Sequence, residues 1–473
     1  MKILLVLPAT ERHRVVPGGE VPKRKMLRFS VLGLTTVAAL TPARHEVLVR
    51  DENVEALDFE TDADVVGVTF MTGLANRAYE IAAEFKRRGK LVVAGGYHPT
   101  LMPEEAARHF DIVVAGEAEG VWPRVVADIE RGEFRRIYRN VGMPDLRETP
   151  VPRRELLERM RDEYVTTNAV QTGRGCPHQC RFCSVAAFFK GSFRTRPLEN
   201  VLAELAQVPK VFMFVDDNII SDPEYAKALF RAMAPMGKRW VSQCSIKIAD
   251  DPELLRLAYE AGCRGLFLGI ETINQDNLTA VQKDINDPRQ YERRIRLMHE
   301  AGIGVQAGMI VGLDSDDVTV FEKTLDFLQS AELDALQLAI LTPQPGTPLH
   351  EDFAKAGRLL HRDWGRYDFR HAVIQPKHMT PEELQAGADW LYAQYYRLDR
   401  IILRTLRLAF KVGVEPAYLG WRLGLTYRYN NIREGIVGRN PARKPGLLAR
   451  LWEGVKDSFQ LGVRAWGLRP ISR

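Results

Sequence analysis

The chain has 473 residues, a length that predicts two or three domains. Hydrophobic residues make up 45% of it, and no apolar run reaches the roughly 18 residues that a membrane-spanning helix needs. The formal net charge of +5 is too small to imply a nucleic-acid partner, and we expect none. The apolar start, Met1–Pro8, is short and lacks a cleavage site, so we expect a reducing, cytoplasmic location.

Short apolar runs alternate with amphipathic helical patterns over residues 1–140. This alternation is typical of a parallel sheet that helices cover on both faces. The expected strands are Lys2–Leu7, Glu46–Arg50, Asp64–Phe70, Leu91–Ala94 and Asp111–Ala115, and the expected helices lie near Ser30–Leu40, Leu74–Arg88 and Pro103–His109. Ligands of such sheets bind beyond the carboxyl ends of the strands. Two glycine-rich turns stand at such ends, Gly95–Pro99 and Gly116–Gly120.

A proline-containing, charged stretch at 141–164 predicts a connector between domains. The strand–helix alternation resumes at residue 165 and predicts six βα units up to residue 345. The six expected strands are Val165–Gln171, Val211–Val215, Trp240–Ile246, Gly265–Gly269, Gly304–Val311 and Ala335–Leu341. Such a series favours a partial barrel whose chemistry lies at the carboxyl ends of its strands.

Three of the five cysteines follow the first of these strands with the spacing C-x3-C-x2-C, at Cys176, Cys180 and Cys183. Iron–sulfur clusters usually take four cysteines, so three thiolates can hold a four-iron cluster and leave its fourth iron open. The alternative is a Cys3His zinc site that includes His178, in a zinc-stabilised binding protein. That site would lack the second ligand pair that structural zinc sites usually have.

At these residues the chain resembles the radical S-adenosylmethionine (SAM) superfamily, whose signature is C-x3-C-x-aromatic-C, with Phe182 in the aromatic position. The resemblance implies that Cys176, Cys180 and Cys183 bind a [4Fe–4S] cluster whose open iron is chelated by SAM. It implies an electron donor of the flavodoxin or ferredoxin type that reduces the cluster. SAM is then cleaved to a 5′-deoxyadenosyl radical, which takes a hydrogen from an unactivated carbon.

The resemblance also assigns roles to polar residues at successive strand ends of the expected barrel. Asp217, within Asp216-Asp217-Asn218, would face the amino group of SAM. Ser245 and Glu271, at the next two strand ends, would contact its carboxylate or ribose. Each has a structural alternative, because Asp216 and Asn218 can cap a helix and Glu271 can be a solvated loop carboxylate.

The layout of residues 1–140 resembles the cobalamin-binding Rossmann-like domain that precedes many radical SAM modules, and its G-G-x-H-P and G-E-x-E-G turns resemble that group's. The resemblance implies that Gly95, Gly96 and His98 contact cobalamin. The D-x-H-x-x-G motif, whose histidine binds cobalt in some cobalamin proteins, is absent, so no side chain of that motif would bind the metal. A scaffold domain without a ligand, and a solvated His98, remain alternatives.

Residues 346–473 are expected to be helical and basic, with aromatic residues among the charges. One helical face there carries Leu398, Ile401, Ile402, Leu406, Ala409 and Phe410. We expect this face to pack against the rest of the protein. Peripheral contact with an anionic membrane surface is the alternative.

The expected fold class is therefore α/β, with a Rossmann-like domain, a partial (β/α)6 barrel and a helical carboxyl-terminal region. The implied function is that of a cobalamin-dependent radical SAM enzyme that methylates an unactivated carbon of a small-molecule or lipid substrate. A cobalamin-associated cyclase or rearrangement enzyme without methyl transfer is the first rival. A tRNA methylthiotransferase is disfavoured, because the amino-terminal region contains no cysteine for a second cluster.

Overall fold

The computed structural model describes residues 1–16, 31–140, 142–433 and 435–436. Its strands are β1 (Lys2–Leu7), β2 (Glu46–Asp51), β3 (Val65–Thr69), β4 (Leu91–Gly95), β5 (Ile112–Ala115), β6 (Ile137–Arg139), β7 (Ala169–Val170), β8 (Gly173–Gly175), β9 (Phe193–Thr195), β10 (Val211–Phe214), β11 (Arg239–Cys244), β12 (Cys263–Glu271), β13 (Gly304–Val311) and β14 (Ala335–Ile340). Its α-helices are α1 (Leu32–Leu40), α2 (Ala75–Arg87), α3 (Tyr97–Leu101), α4 (Pro103–His109), α5 (Trp122–Arg131), α6 (Ser184–Phe189), α7 (Leu198–Gln207), α8 (Pro223–Met233), α9 (Pro252–Glu260), α10 (Gln275–Ala280), α11 (Tyr291–Glu300), α12 (Val320–Ser330), α13 (Pro348–Lys355), α14 (Pro381–Tyr395), α15 (Leu398–Lys411) and α16 (Val414–Arg433).

The first sheet has the strand order β2-β1-β3-β4-β5-β6, and every neighbouring pair is parallel. Helices cover both faces, with Leu34 of α1 and Val125 of α5 in one core and Ile81 of α2 in the other. The expected parallel, doubly covered sheet is confirmed. This strand order has a switch point between β1 and β3, and the loops after those strands frame the usual ligand crevice.

The second sheet has the order β14-β13-β12-β11-β10-β7 and is also parallel throughout. Its six strands confirm the expected partial barrel. The first strand is shorter than the expected Val165–Gln171, because only Ala169 and Val170 pair with β10. Beyond them the chain turns away to form β8, which pairs with β9 in a separate antiparallel hairpin.

Strand β14 lies at an edge of the second sheet, and tyrosines of α14 and the residue that follows it cover that edge. The backbone N–H of Leu336 donates to the Tyr396 hydroxyl at 2.8 Å, and the same hydroxyl donates to the Leu336 carbonyl at 2.5 Å. The N–H of Leu338 donates to the hydroxyl of Tyr392 at 3.1 Å. Exposed strand edges invite pairing with other chains, so these hydroxyls close the edge.

The two sheets share a continuous hydrophobic core. Ala78 of α2 and Phe110 belong to the same buried cluster as Phe214 of β10 and Leu268 of β12. The charged run at Arg154–Glu163 forms 3-10 turns and packs on the first sheet through Leu157 and Met160. This shared core therefore holds the carboxyl ends of the two sheets in position relative to each other.

The expected apolar face of α15 does not pack as a unit, and that expectation is wrong for three of its six residues, which are exposed. Ile401 is buried, but Ile402 and Leu406 are exposed and Phe410 is 88% exposed within the described structure. Helix α16 packs closely on α15 beside Ile401, where a Cβ on Gly424 would lie 3.1 Å from that side chain. The packed side of α15 thus runs through Ile401 and Leu408, whereas Ile402, Leu406 and Phe410 lie on its exposed side. The expectations for 437–473 lie outside the described residues.

Across the described ranges, no helix is long and apolar enough to cross a bilayer.

Candidate active site

The cysteine loop is carried by the hairpin of β8 and β9, just beyond the carboxyl end of β7. Gly173 pairs with Thr195, and Gly175 pairs with Phe193. Gly175 has φ +84°, and a Cβ there would lie 2.1 Å from the Ser192 carbonyl oxygen. Only glycine tolerates both constraints, so the residue before Cys176 is fixed by the turn into the loop.

Two carboxylates at the end of β10 hold the strand that leads into this loop. Asp216 accepts hydrogen bonds from the Thr172 and Gly173 N–H groups at 3.0 and 2.7 Å, and from the Thr172 hydroxyl at 2.7 Å. Asp217 accepts from the Gly175 N–H at 3.2 Å. Burial raises the pKa of Asp216 to about 6, and burial with the charge of Asp216 raises the pKa of Asp217 to about 7. Asp216 is therefore an anchor of the loop, while Asp222 caps the following helix.

The three expected thiols lie together in this loop. Cys180 is buried, and Cys176 and Cys183 are partly exposed. Burial raises the pKa of Cys180 to about 11; Lys283 opposes the shift, and the neighbouring Cys183 and Cys176 add to it. Cys180 therefore lies within electrostatic range of both other thiols, as shared binding of one cluster requires.

The same loop does not form a site for a single ion. In the part of the chain that the structure describes, no three His, Cys, Asp or Glu side chains come close enough to hold one metal ion. A zinc tetrahedron with His178 as fourth ligand would need all four donors about 2 Å from one point. Ligands of a four-iron cluster bind separate irons, so they need not converge on one point.

A partly buried lysine completes the charge pattern around the thiols. Lys283, after α10, donates to Glu271 at 3.2 Å. Burial lowers the pKa of Lys283, but Glu271, Cys180 and Cys183 outweigh burial and raise it. Glu271 is only 9% exposed, which excludes the solvated alternative, and its φ of +67° is unusual for a non-glycine residue. Such backbone strain is concentrated at functional sites.

Ser245 stands at the end of β11 but has a local partner. Its hydroxyl accepts from the Lys247 N–H at 3.3 Å, and its own N–H donates to the Asn218 side chain at 2.9 Å. Asn218 therefore ties the ends of β10 and β11 together. A contact between Ser245 and SAM stays a prediction.

Of the residues expected to bind cobalamin, Gly95 borders open space, whereas Gly96 and His98 pack against other parts of the protein. A Cβ on Gly95 would meet no atom within 4 Å, which leaves room for a ligand at the end of β4. Gly96 instead packs on the end of β3, where a Cβ would lie 2.8 Å from the Thr69 hydroxyl. His98 is fully buried, with its Nδ1 3.2 Å from the Thr72 hydroxyl and its Nε2 3.0 Å from the Tyr79 hydroxyl. The imidazole of His98 is therefore directed into the protein and is not solvated.

Tyr97 is a site residue that the sequence interpretation missed. Its ring contacts Phe188 of α6 with 4.7 Å between the ring centroids. Burial raises the pKa of Tyr97, and the charges of Asp217 and Cys183 add to the shift, so the phenol lies near both groups. It belongs to the turn already singled out at 95–99, but only the fold shows that Tyr97, and not His98, faces the cysteine loop.

Two family models match the chain at these structures. The model of the radical SAM superfamily matches residues 170–328, and the model of the B12 binding domain matches residues 27–126. The first range begins at β7 and includes the cysteine loop. The second includes β3, which borders the switch point of the first sheet, and both glycine-rich turns.

Curated relatives match most of the chain. It is 32% identical to bacteriochlorophyllide d C-12(1)-methyltransferase of Chlorobaculum tepidum over 85% of this chain and 89% of that protein. It is 28% identical to hopanoid C-2 methylase of Rhodopseudomonas palustris over 70% of this chain and 65% of that protein. It is 26% identical to an anaerobic magnesium-protoporphyrin IX monomethyl ester cyclase of Cereibacter sphaeroides over 78% of this chain and 66% of that protein.

A solved structure has the same fold. The radical SAM methyltransferase TsrM of Kitasatospora setae, with cobalamin and a [4Fe–4S] cluster bound, aligns with a TM-score of 0.65. The alignment covers 92% of this chain and 99% of that one at 18% identity. The arrangement of the two sheets and the helical carboxyl-terminal region is therefore common to both proteins.

Proposed function

Because this chain belongs to the radical SAM superfamily and carries a B12-binding domain, we propose that it methylates an unactivated carbon of a flat, largely apolar ring compound. Its cofactors are a [4Fe–4S] cluster, SAM and cobalamin. When bound, these groups supply reductive cleavage of SAM and a carrier for the methyl group. The chain's own residues bind and orient them and exclude water.

The observation that carries the proposal is the meeting of the three thiols with groups from both sheets. Cys176, Cys180 and Cys183 would hold three irons and leave one for SAM. Asp217, whose remaining carboxylate oxygen makes no hydrogen bond among the described residues, would accept a hydrogen bond from the amino group of SAM. The ammonium of Lys283 would offset part of the negative charge of the bound cluster.

The amino-terminal sheet would hold cobalamin over its carboxyl edge. The open space at Gly95 and the switch point between β1 and β3 are the features that suit a large planar ligand. His98 would stabilise the turn through Thr72 and Tyr79 and would not bind the metal, since both ring nitrogens have partners.

The substrate class is supported by the surface beside the thiols. Helix α6 begins directly after Cys183, and its apolar residues Val185 and Phe188 are only partly buried, as is Phe182 within the loop. An apolar wall of this kind suits a hydrophobic ring system. Two relatives agree with that chemistry, because their names place methylation on a chlorophyll-type macrocycle and on a hopanoid.

Two partner proposals accompany this function. An electron donor of the flavodoxin or ferredoxin type would reduce the cluster. Peripheral contact with a membrane surface stays a prediction, and the exposed apolar side chains of α15 are the surface that would make it. Binding of the full chain to anionic vesicles, with loss of binding in Phe410→Glu, would support that contact; equal binding by the variant would remove its support.

The test is methyl transfer from labelled SAM. Protein reconstituted without air should convert a chlorophyll-type macrocycle or a hopanoid to a product that carries the label. The first rival, a cyclase or rearrangement enzyme, would yield 5′-deoxyadenosine and an altered substrate without label. Cys180→Ala should abolish both products, whereas Cys244→Ala, at a buried thiol outside the loop, should retain them.

A further inference from the structure

The hairpin that carries the cysteine loop places two arginines side by side. Arg174 of β8 and Arg194 of β9 are cross-strand partners in the antiparallel register. Like charges directly opposite each other destabilise a β-hairpin. The Arg174 side chain is only 12% exposed, so water screens this repulsion poorly. The hairpin therefore needs a source of negative charge that it does not itself contain.

The first sheet supplies that charge through the turn at Gly116–Gly120. Glu117 accepts from Arg174 at 2.8 Å through one oxygen and from Arg194 at 2.6 Å through the other. Glu119 accepts from the second terminal nitrogen of Arg174. The side chains of Glu117 and Glu119 are 7% and 6% exposed. Two carboxylates thus neutralise two guanidinium groups in a nearly dry interface.

Both sides of this interface are fixed by further bonds. Arg174 also donates through Nε to the Gln171 side chain at 2.9 Å, and Arg194 donates to the Pro144 carbonyl at 2.7 Å. On the turn, the carbonyl of Glu117 accepts from the Asn140 side chain at 2.6 Å. Although burial acts in the other direction, Arg174 holds the pKa of Glu119 below its usual value. Glu119 is therefore ionised, and these bonds hold both carboxylates in position.

We propose that Glu117 and Glu119 of the amino-terminal sheet are positioning residues for the cysteine loop. They neutralise the Arg174–Arg194 pair, and through it they hold the hairpin that presents the thiols. The inference rests on the proposed cluster ligands. It adds that each of the two domains holds part of the other in position. The turn that follows β5 completes the cluster site, and the hairpin fixes that turn at the carboxyl edge of the first sheet.

The test uses Glu117→Gln, which leaves two guanidinium groups with one carboxylate. In the reconstituted full chain, iron release to a chelator should accelerate by at least about tenfold, because breaking a buried ion pair leaves an uncompensated charge. Adding Arg194→Gln removes the surplus charge and should bring the rate back to within about threefold of wild type. Glu104→Gln is the matched control, since it breaks an exposed ion pair with Arg139 in the same domain and should change nothing.

Rescue of Glu117→Gln by the second substitution distinguishes a loss of charge balance from a general loss of packing. Release from Glu117→Gln within about twofold of wild type, or a double variant as impaired as the single one, would overturn the proposal. If Glu117→Gln fails to fold, folding of the double variant supports the proposal and its failure overturns it. Amide hydrogen exchange over residues 173–195 in metal-free protein gives the same comparison without the cluster, with faster exchange expected only in the single variant. The cluster content of wild type tests the proposed function separately.

Discussion

Asp216 accepts hydrogen bonds from two successive backbone N–H groups and one hydroxyl, all on the chain that leads into the cysteine loop. The carboxylate is nearly inaccessible to water, at 2% exposed. Three donors directed at one buried side chain fix both its rotamer and the backbone opposite it. At the scale of single residues, the backbone that leads into the cysteine loop is held in place by the carboxylate of Asp216, which is not itself a proposed cluster ligand.

Asp216→Asn should therefore destabilise the protein strongly. The amide loses the negative charge that the three donors share, and its NH2 group is turned toward the Thr172 N–H, which also bonds to the second carboxylate oxygen. We expect a loss of about 2 kcal/mol in the free energy of unfolding, measured by denaturant titration at pH 7.5. Asp326→Asn on the exposed side of α12 is the control, and an equal, small effect of both substitutions would contradict the assigned role.

Glu105 gives a pH-dependent prediction. His98, Trp364 and Tyr79 hold its pKa at about 2, below its ordinary value of 4.5. A carboxylate with a lowered folded-state pKa stabilises the protein above about pH 4.5, and that contribution is lost as the pH falls toward 2. Glu105→Gln should thus cost about 2 kcal/mol at pH 7 and progressively less below pH 4.5. A difference in unfolding free energy between variant and wild type that stays constant from pH 7 to pH 3 would contradict this role of Glu105.

The sequence predicted elements whose signal is local and missed features that depend on distant partners. The spacing of Cys176, Cys180 and Cys183 places three thiols in one loop in any fold, and apolar runs of five or six residues identify the long strands. Strand β6 was not predicted, because its three residues are too few to show the alternation of apolar and polar side chains that indicates a strand. Lys283 lies about a hundred residues from the thiols, and nothing near it in the sequence indicates the pairing with Glu271. The inward direction of His98 is likewise set by Thr72 and Tyr79, on other elements.

At the scale of elements, the edge of the second sheet depends on Tyr396. Its hydroxyl exchanges two hydrogen bonds with Leu336 of β14, and Tyr396→Phe leaves a buried N–H and C=O without that partner. We expect a loss of about 1–3 kcal/mol in unfolding free energy by denaturant titration. Tyr259→Phe is the matched control, because the 41% exposed Tyr259 makes no hydroxyl hydrogen bond within the described ranges. A similar loss in both variants would show that the hydrogen bonds between Tyr396 and the edge strand do not account for the effect.

For the whole molecule, the two parallel sheets act as one enzyme because their carboxyl edges meet. Tyr97 on Phe188 and the Glu117 pairs with Arg174 and Arg194 join the amino-terminal turns to the cysteine hairpin. The boundaries of the domains at 140, 164 and 345 stay predictions. Deleting residues 1–140 should expose the core that both sheets share, so the remainder is expected to aggregate and not to yield a smaller active enzyme.

The most direct measurement is cleavage of SAM by the full chain, reconstituted with iron and sulfide without air and then reduced. The three-thiol site predicts about four irons per chain and the formation of 5′-deoxyadenosine in wild type, and neither in Cys176→Ala, Cys180→Ala or Cys183→Ala. Cys263→Ala, at a buried thiol outside the loop, should behave as wild type does. Wild type that binds no iron, or binds it and never cleaves SAM, would contradict the account.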